Sequence, residues 1–155
     1  MQHDEHKMAK QSYMHFGIEL AVDFVIMYLV MYTMIATLDH FYLNLNNVYM
    51  TLMMVAPMAV VMLLFMRSMF PSRSVNTGII VAAVIIFGIS FYGMRSQLAV
   101  GNEQFLKSMI PHHSGAILMC REANITDPDI VPLCQQIIES QNREIEQMKT
   151  ILQKY

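Results

Sequence analysis

The stretch Phe105–Cys120, FLKSMIPHHSGAILMC, combines two methionines, two adjacent histidines and a cysteine within about three helical turns. On an ideal helix these side chains form two neighbouring stripes: Met109, His113, Ala116 and Cys120 on one, His112 and Met119 on the other. Thioether, thiol and imidazole groups on one helix suit Cu(I), Ag(I) or Zn(II) better than Mg²⁺ or Ca²⁺. The competing interpretation is ordinary core packing, which methionine and cysteine often provide.

Composition places the chain among membrane proteins. Of its 155 residues, 55% are hydrophobic and only 14% are charged, an imbalance that is unusual for a soluble domain. The net charge is −2 and the basic residues form no patch, which argues against a nucleic-acid partner. Two cysteines are enough for one disulfide or one soft-metal site, but not for a disulfide framework.

Three apolar segments of nearly the length needed to cross a bilayer precede the Met/His stretch, at about 16–38, 48–66 and 77–98. The sequence therefore predicts an all-α protein in three parts: a polar His/Met-containing tail at 1–15, a three-helix transmembrane domain at 16–98 and an extramembrane antiparallel helical hairpin at 99–155. Membrane lipid is thus an expected partner.

Basic residues in short loops predict the orientation. The tail carries Lys7 and Lys10, the first loop has neither lysine nor arginine, and the second loop carries Arg67 and Arg73. Because basic loops stay on the cytoplasmic side, we expect the N-terminus inside and the hairpin outside. An exterior hairpin is also in a compartment where disulfides can form.

Two helical patterns with matching apolar seams predict the hairpin. The first lies at about 102–124, and the second runs from Asp127-Pro128 to about Lys154. The dipeptide predicts an N-cap followed by proline at the first helical position. Folding the two patterns about a turn near Asp127 pairs their seam residues: Cys120 with Cys134, His113 with Gln141, Met109 with Ile145 and Leu106 with Met148. His112 then lies near Asn142, with Glu144 on the adjoining stripe.

The two cysteines leave two alternatives open, a structural disulfide or a pair of thiolates that bind metal. The exterior location favours the disulfide. The candidate metal-site residues, with Gln141 and Glu144 as supporting partners of the ligands, are these: His112, His113, Met109, Met119, Met148, Cys120, Cys134, Gln141 and Glu144.

Methionines recur every four residues in the second segment, at Met50, Met54, Met58, Met62 and Met66. We call this set the methionine ladder. One interpretation is a thioether path for a soft cation. The favoured alternative is flexible apolar packing, because a period of four drifts around the helix and does not line one face.

The run Met109–His113, followed by Ala116 and Ile117, resembles the DUF305 family. A second group on the later helix shares the resemblance: Gln141, Glu144, Ile145 and Met148. The resemblance covers about 102–152, and the chain is similar to a membrane-anchored subgroup with three N-terminal transmembrane helices.

Relatives in this family include periplasmic copper-binding proteins with ferritin-like four-helix bundles. The resemblance therefore implies copper binding, possible metal tolerance and a bacterial inner (plasma) membrane. Longer members have two hairpins and this chain has one. A lone hairpin buries its seam poorly, so we expect a homo-oligomer, most simply a dimer that completes the four-helix bundle. Contact of the hairpin with the membrane segments or with another protein is the competing solution.

The leading functional hypothesis is a membrane-anchored protein that binds Cu(I), or else silver or zinc, and exchanges it with a metal-handling partner. The alternatives are a transport component that conducts metal along the methionine ladder, and an accessory subunit of a membrane complex that binds no metal. An enzyme is not expected. The sequence shows no Ser/His/Asp set, no phosphate-binding loop and no paired carboxylates near the histidines.

Overall fold

The computed structural model describes the backbone of residues 2–155 and the side chains of residue 8 and residues 10–155. This part of the chain contains five α-helices and no β-strand: α1 Gln2–Val30, α2 Leu45–Phe65, α3 Arg73–Ser96, α4 Asn102–Glu122 and α5 Ile130–Leu152. Short 3-10 turns lie on either side of α2, at Leu38–His40 and Arg67–Met69. The predicted all-α class is confirmed.

Three helical stretches are long and apolar enough to cross a membrane: Lys10–Val30, Leu45–Phe65 and Arg73–Ser96. They contain 21, 21 and 24 residues, and about 20 residues of helix span a bilayer core. Many of their large apolar side chains are exposed, as expected of surfaces that face lipid. These features are consistent with the predicted membrane protein.

The first helix differs from its predicted bounds at both ends. It begins at Gln2 and runs through the polar tail, because the tail contains good helix formers and neither glycine nor proline. It ends at Val30, although residues 31–38 are still largely apolar. Tyr32 is buried there, its hydroxyl donates to the Tyr42 carbonyl at 3.0 Å, and the Asn44 amide donates to that hydroxyl at 3.1 Å. Tertiary packing therefore overrides hydropathy at this end.

The chain divides into two compact units. The span unit contains α1 as far as Leu29 together with Val48–Leu98, and the hairpin unit contains Val30–Asn47 together with Ala99–Tyr155. The hairpin unit therefore includes a segment that the sequence assigned to the end of the first span and to a loop. We call Val30–Asn47 the covering segment.

Aromatic rings and small residues form the core of one end of the span unit. Phe16, Ala59, Leu63 and Phe70 are buried together, and the Phe16 and Phe70 rings meet edge to face with centroids 5.3 Å apart. The Tyr13 hydroxyl accepts a hydrogen bond from the Ser72 amide at 3.2 Å. These contacts fix α1 against the turn between α2 and α3.

At the opposite ends of α2 and α3, a glycine allows the two helices to approach closely. A Cβ atom at Gly93 would lie 2.9 Å from Cε1 of Tyr49, so no larger residue fits without movement of the ring. The Tyr49 hydroxyl also donates to the Leu98 carbonyl at 2.7 Å. The two spans are thus held together near both ends.

Aliphatic side chains from α4 and α5 form the core of the hairpin unit: Leu106, Ile110, Ile117, Ile145 and Met148. Ala36 and Tyr42 of the covering segment pack against this core. The hairpin therefore receives part of its cover from its own chain. Contact with the predicted membrane segments was the competing solution, and Ala36 belongs to the end of the first of them, whereas Tyr42 belongs to the following loop. This cover weakens the argument that burial of the seam requires a second copy.

The second hairpin helix begins two residues later than predicted. Asp129, not Asp127, occupies the N-cap position of α5, and Ile130 is the first helical residue. The Asp127 carboxylate instead accepts a hydrogen bond from the Asp129 amide at 2.8 Å. The Asp127 carbonyl also accepts hydrogen bonds from the Ile130 and Val131 amides at 3.1 and 3.0 Å, whereas Asp129 makes no side-chain cap. Asp127 therefore still satisfies backbone amides at the start of α5, as the sequence predicted.

Candidate metal site on the hairpin

A disulfide fixes the register of α4 against α5. Cys120 and Cys134, 14 positions apart in the sequence, are bonded, and their Cα atoms are 5.3 Å apart. Of the two alternatives left open by the sequence, the structure contains the disulfide. In this form neither sulfur is a thiolate, so neither cysteine can bind metal unless the bond is first reduced.

His113 lies between two acceptors on different helices. Its Nδ1 is 2.9 Å from the Met109 carbonyl oxygen, and its Nε2 is 2.8 Å from a carboxylate oxygen of Glu144. A carbonyl only accepts, so Nδ1 carries a hydrogen and donates it. A second proton must then lie between Nε2 and the carboxylate, on one atom or the other.

The pairing of His113 with Glu144 differs from the predicted pairing with Gln141. The two positions are three residues apart, which is close to one turn of α5. The carboxylate of Glu144 reaches the ring, whereas Gln141, whose side chain has the same length, is half-buried nearby on the same helix. Glu144 therefore contacts Nε2 directly, and the Met109 carbonyl at Nδ1 is the contact that corresponds to the supporting partner of a metal-binding histidine.

The predicted thioether residues lie in different surroundings. Met148 is 9% exposed and belongs to the apolar core, against which Met109 also packs. Met119 is 60% exposed, and His112 is exposed as well. The ring centroids of His112 and His113 are 6.0 Å apart. The candidate ligands therefore divide into core residues, a hydrogen-bonded pair and exposed groups.

Among the side chains that the structure describes, no three of histidine, cysteine, aspartate and glutamate converge as a metal cage would require. The methionine ladder does not line an internal path in these residues either. The buried residues of α2 are Thr51, Val55, Ala56, Ala59 and Leu63, and none of the five ladder methionines is buried.

A second buried histidine joins the covering segment to α4. His40 Nδ1 lies 2.8 Å from Ser114 Oγ, which also accepts a hydrogen bond from the Ala36 amide at 2.7 Å. Both His40 and Ser114 are buried. Burial of the ring, aided by the positive charge of Lys149, lowers the pKa of His40.

An ion pair lies beside this contact. Lys149 of α5 donates to the carboxylate of Asp39, and it also lies 3.3 Å from a carboxylate oxygen of Glu146. The hydrogen bond and charge of Lys149 lower the pKa of Asp39. Burial alone would lower the pKa of Lys149, but the hydrogen bonds from its amine to Asp39 and Glu146 outweigh burial and raise it. The covering segment is thus held by charge as well as by packing.

Sequence reasoning missed these contacts, although two signals were present. Asp39 and His40 are polar residues directly after an apolar run, and Ser114 and Gly115 are consecutive small residues directly after the histidine pair. Small residues on a helix allow another backbone to approach, and a Cβ atom at Gly115 would meet the Met34 carbonyl oxygen at 3.6 Å. Which loop supplies that backbone is not apparent from the sequence.

Comparison with known proteins gives two matches. The family model described as "Domain of unknown function (DUF305)" matches residues 94–152, which include all of α4 and α5. An uncharacterized protein of Acanthamoeba polyphaga mimivirus is 39% identical over 112 residues, which cover 71% of this chain and 72% of the viral protein. No solved structure matches the chain.

Proposed function

The chain belongs to the DUF305 family, and from that premise we propose that it is a membrane-anchored protein that binds copper, or a similar soft or borderline metal ion, at the histidine pair of α4. The role would be metal homeostasis or tolerance, with the ion captured outside the membrane and passed to a metal-handling partner protein. The metal is the cargo of this protein and takes part in no catalytic step.

The geometry of His113 is the observation that supports the proposal. Metal-binding histidines usually donate one ring N–H to a carbonyl or carboxylate, which fixes the tautomer and leaves the other nitrogen for the ion. Here Nδ1 donates to the Met109 carbonyl, so Nε2 is the nitrogen left for a ligand. Nε2 already faces the Glu144 carboxylate across a shared proton. A metal cation can replace that proton if Glu144, whose side chain is about half exposed, moves outward.

The ligands that fit are fewer than the sequence suggested. Met109 and Met148 pack in the core, and both cysteine sulfurs are in the disulfide. The accessible groups beside His113 are the His112 imidazole and the Glu144 carboxylate. The exposed Met119 thioether lies nearly two turns farther along α4. Imidazole with carboxylate suits copper and zinc, and an added thioether favours Cu(I) or Ag(I).

Three residues from one chain do not enclose an ion, so we further propose that a second copy or the partner protein completes the site. The exposure of His112 and Met119 on α4 leaves both available for such an approach. The proposal keeps the orientation expected from the basic loops, in a bacterial plasma membrane with the hairpin outside. The covering segment and the hairpin form one compact unit and must therefore lie on the same side.

Isothermal titration of the full-length protein in detergent micelles tests the proposal with Cu(II), Zn(II) and Ag(I). Ag(I) shares the charge and softness of Cu(I) but needs no reductant that would open the disulfide. Changing both His112 and His113 to alanine should abolish tight binding. Glu144→Gln should weaken it by at least about tenfold, because the carboxylate that faces Nε2 is then lost as a ligand. A stoichiometry of one ion for two chains would indicate a site shared between copies.

Two further variants serve as controls. His15→Ala removes an exposed histidine from α1 and should leave binding unchanged. Met148→Leu should also bind normally, because this thioether is in the core. Unchanged affinity and stoichiometry after loss of both His112 and His113 would contradict the proposal, and would favour the accessory-subunit hypothesis instead.

A further inference from the structure

Two hollows lie between α2 and α3, and we call them together the α2–α3 groove. The first is a cavity of about 540 Å³ at the end of the span unit where the two helices are joined by a short turn. Arg67 and Arg73 line its mouth, and Leu63, Leu64 and Ile80 line the side that continues along the helices. The cavity is therefore basic at one end and apolar at the other.

A second hollow of about 290 Å³ follows along the same two helices. It is lined only by apolar residues: Ala56, Pro57, Val60, Ala83, Val84 and Phe87. Ala56 and Ala83 are buried and form the floor, whereas Val84 and Phe87 are exposed at the sides. Because the floor residues are small, a furrow remains between the helices where larger side chains would have filled it.

The length of the groove matches one leaflet of a bilayer. From Ala56 to the end of α2 at Phe65 is nine residues, or roughly 14 Å of helix. The hydrocarbon core of a bilayer is about 30 Å thick, so one leaflet occupies about half of it. The arginines lie just beyond the end of the helix, at the level expected for lipid headgroups if α2 spans the membrane.

The two arginines have no acidic partner among the described side chains. Neither Arg67 nor Arg73 takes part in an ion pair there, and both are exposed. Basic pockets between transmembrane helices on the cytoplasmic side bind anionic lipid headgroups, and the sequence predicts that this turn is cytoplasmic. A neutral ligand would leave the positive charges of Arg67 and Arg73 without a negative partner.

We propose that the α2–α3 groove is a binding site for an anionic phospholipid, with the phosphate at Arg67 and Arg73 and one acyl chain along the Ala56–Ala83 floor. The site is independent of the metal-binding proposal, because it lies in the other unit of the chain. It would select lipids by headgroup charge, whereas ordinary lipid contact along the spans would not.

Fluorescence quenching tests this site in the full-length protein, which contains no tryptophan. Phe87→Trp places a single reporter in the wall of the groove. The protein is reconstituted in phosphatidylcholine vesicles that contain increasing fractions of brominated phosphatidylglycerol or brominated phosphatidylcholine. We expect brominated phosphatidylglycerol to quench at about tenfold lower mole fraction, since each arginine near the surface favours an anionic lipid substantially.

Changing both Arg67 and Arg73 to glutamine in the reporter protein should reduce that preference to about twofold or less. Changing both to lysine should retain most of it, because the charge is kept. Arg95→Gln is the matched control: Arg95 is exposed at the other end of α3 and should leave the preference unchanged. A reporter outside the groove, Ile85→Trp, should show no preference between the two lipids.

Equal quenching by the two brominated lipids at Phe87→Trp would overturn the proposal. So would an equal loss of preference in Arg95→Gln and in the double glutamine variant, because the effect would then be one of overall charge. Inorganic phosphate added to the vesicles should not change the quenching. If it abolished the preference, the arginines would be an anion site and not a lipid site.

Discussion

Two buried histidines of the hairpin unit have opposite surroundings. His40 contacts a hydroxyl and lies near the positive charge of Lys149, and its pKa is lowered first by burial and then by that charge. His113 instead has the Glu144 carboxylate 2.8 Å from Nε2. The surroundings of His40 therefore favour the neutral ring, whereas His113 has an acidic side chain in direct contact.

The lowered pKa of His40 predicts that acid releases the covering segment. The usual pKa of histidine is about 6.5, and the pKa of His40 is below it while the covering segment is docked. As the pH falls below about 6.5, His40 therefore binds a proton more readily when the segment is released, and the docked state loses stability. Hydrogen exchange of the peptide that contains Ala36 and His40, corrected for intrinsic rates, should lose protection between pH 7.5 and 5.5. The loss is at most about tenfold for each pH unit.

The test of this pH effect is a histidine variant that cannot become charged. His40→Gln should remove the pH dependence of protection, while His15→Gln, on α1, should retain it. The charges of Asp39 and Glu146 raise the pKa of His40, and the charge of Arg121 lowers it. We do not expect any of the three to reproduce the pH dependence that His40 causes. Equal pH dependence in His40→Gln and in the native protein would show that another group controls docking.

At the scale of helices, α4 and α5 are joined by a disulfide near the tip of the hairpin and by an apolar core farther along. Cys120 and Cys134 close a short loop that contains the turn and the start of α5. A disulfide stabilises mainly by restricting the unfolded chain, and a loop of about 15 residues gives about 3 kcal/mol. The bond is thus a large fraction of what so small a unit needs.

Changing both cysteines to serine should destabilise the hairpin unit by about 3 kcal/mol. The free energy of local unfolding is measured from hydrogen exchange of the α4 and α5 amides in the full-length protein. Dithiothreitol should produce the same loss in the native protein and no further loss in the double variant. Unchanged exchange in the double variant would mean that the core alone holds the two helices.

The sequence predicted α2 to α5 well because length, hydropathy and helix periodicity are local properties. It also paired Cys120 with Cys134 correctly, since the turn is short and both seams repeat at the same spacing. It paired His113 with Gln141, whereas the hydrogen bond is to Glu144, because seam positions do not decide which of two residues one turn apart contacts the ring. The end of α1 at Val30 could not be predicted, since an apolar run is equally consistent with a membrane span or with packing on a distant hairpin.

The candidate site was predictable in its residue types but not in its assembly. The heptad seams place Met148 on the inner face of α5, but they do not reveal whether core or metal occupies that face. The structure places it in the core, with Ile110 and Ile145. Nor could the sequence predict that Met119 and His112 are exposed, because a helical stripe does not indicate whether a partner covers it.

For the whole molecule, membership of the covering segment in the hairpin unit constrains the topology. The segment joins α1 to α2, and the hairpin follows α3. With three membrane-spanning helices, the first loop and the C-terminal part lie on one side and the α2–α3 turn lies on the other. The compact hairpin unit likewise requires that the first loop and the C-terminal part lie on one side.

Thiol labelling of intact cells should reproduce this topology. Single cysteines at exposed positions are introduced by Leu43→Cys, Gln153→Cys and Ser68→Cys, and the native cysteines are in the disulfide. A membrane-impermeant maleimide should label the first two and leave the third unlabelled until the cells are opened. The reverse pattern would invert the predicted orientation. Labelling of Leu43→Cys and Gln153→Cys from different sides would exclude three spans.

The covering segment also means that this protein is not assembled from separable modules. A single cut after Leu98 would free a hairpin that lacks Ala36 and Tyr42, which pack against its core, and would leave His40 and the Ala36 amide without Ser114. Grafting the hairpin onto another anchor would therefore require transplanting two separate pieces of chain. Recombination at one point of the sequence cannot transfer the whole hairpin unit, so we expect the span unit and the hairpin unit to be inherited together.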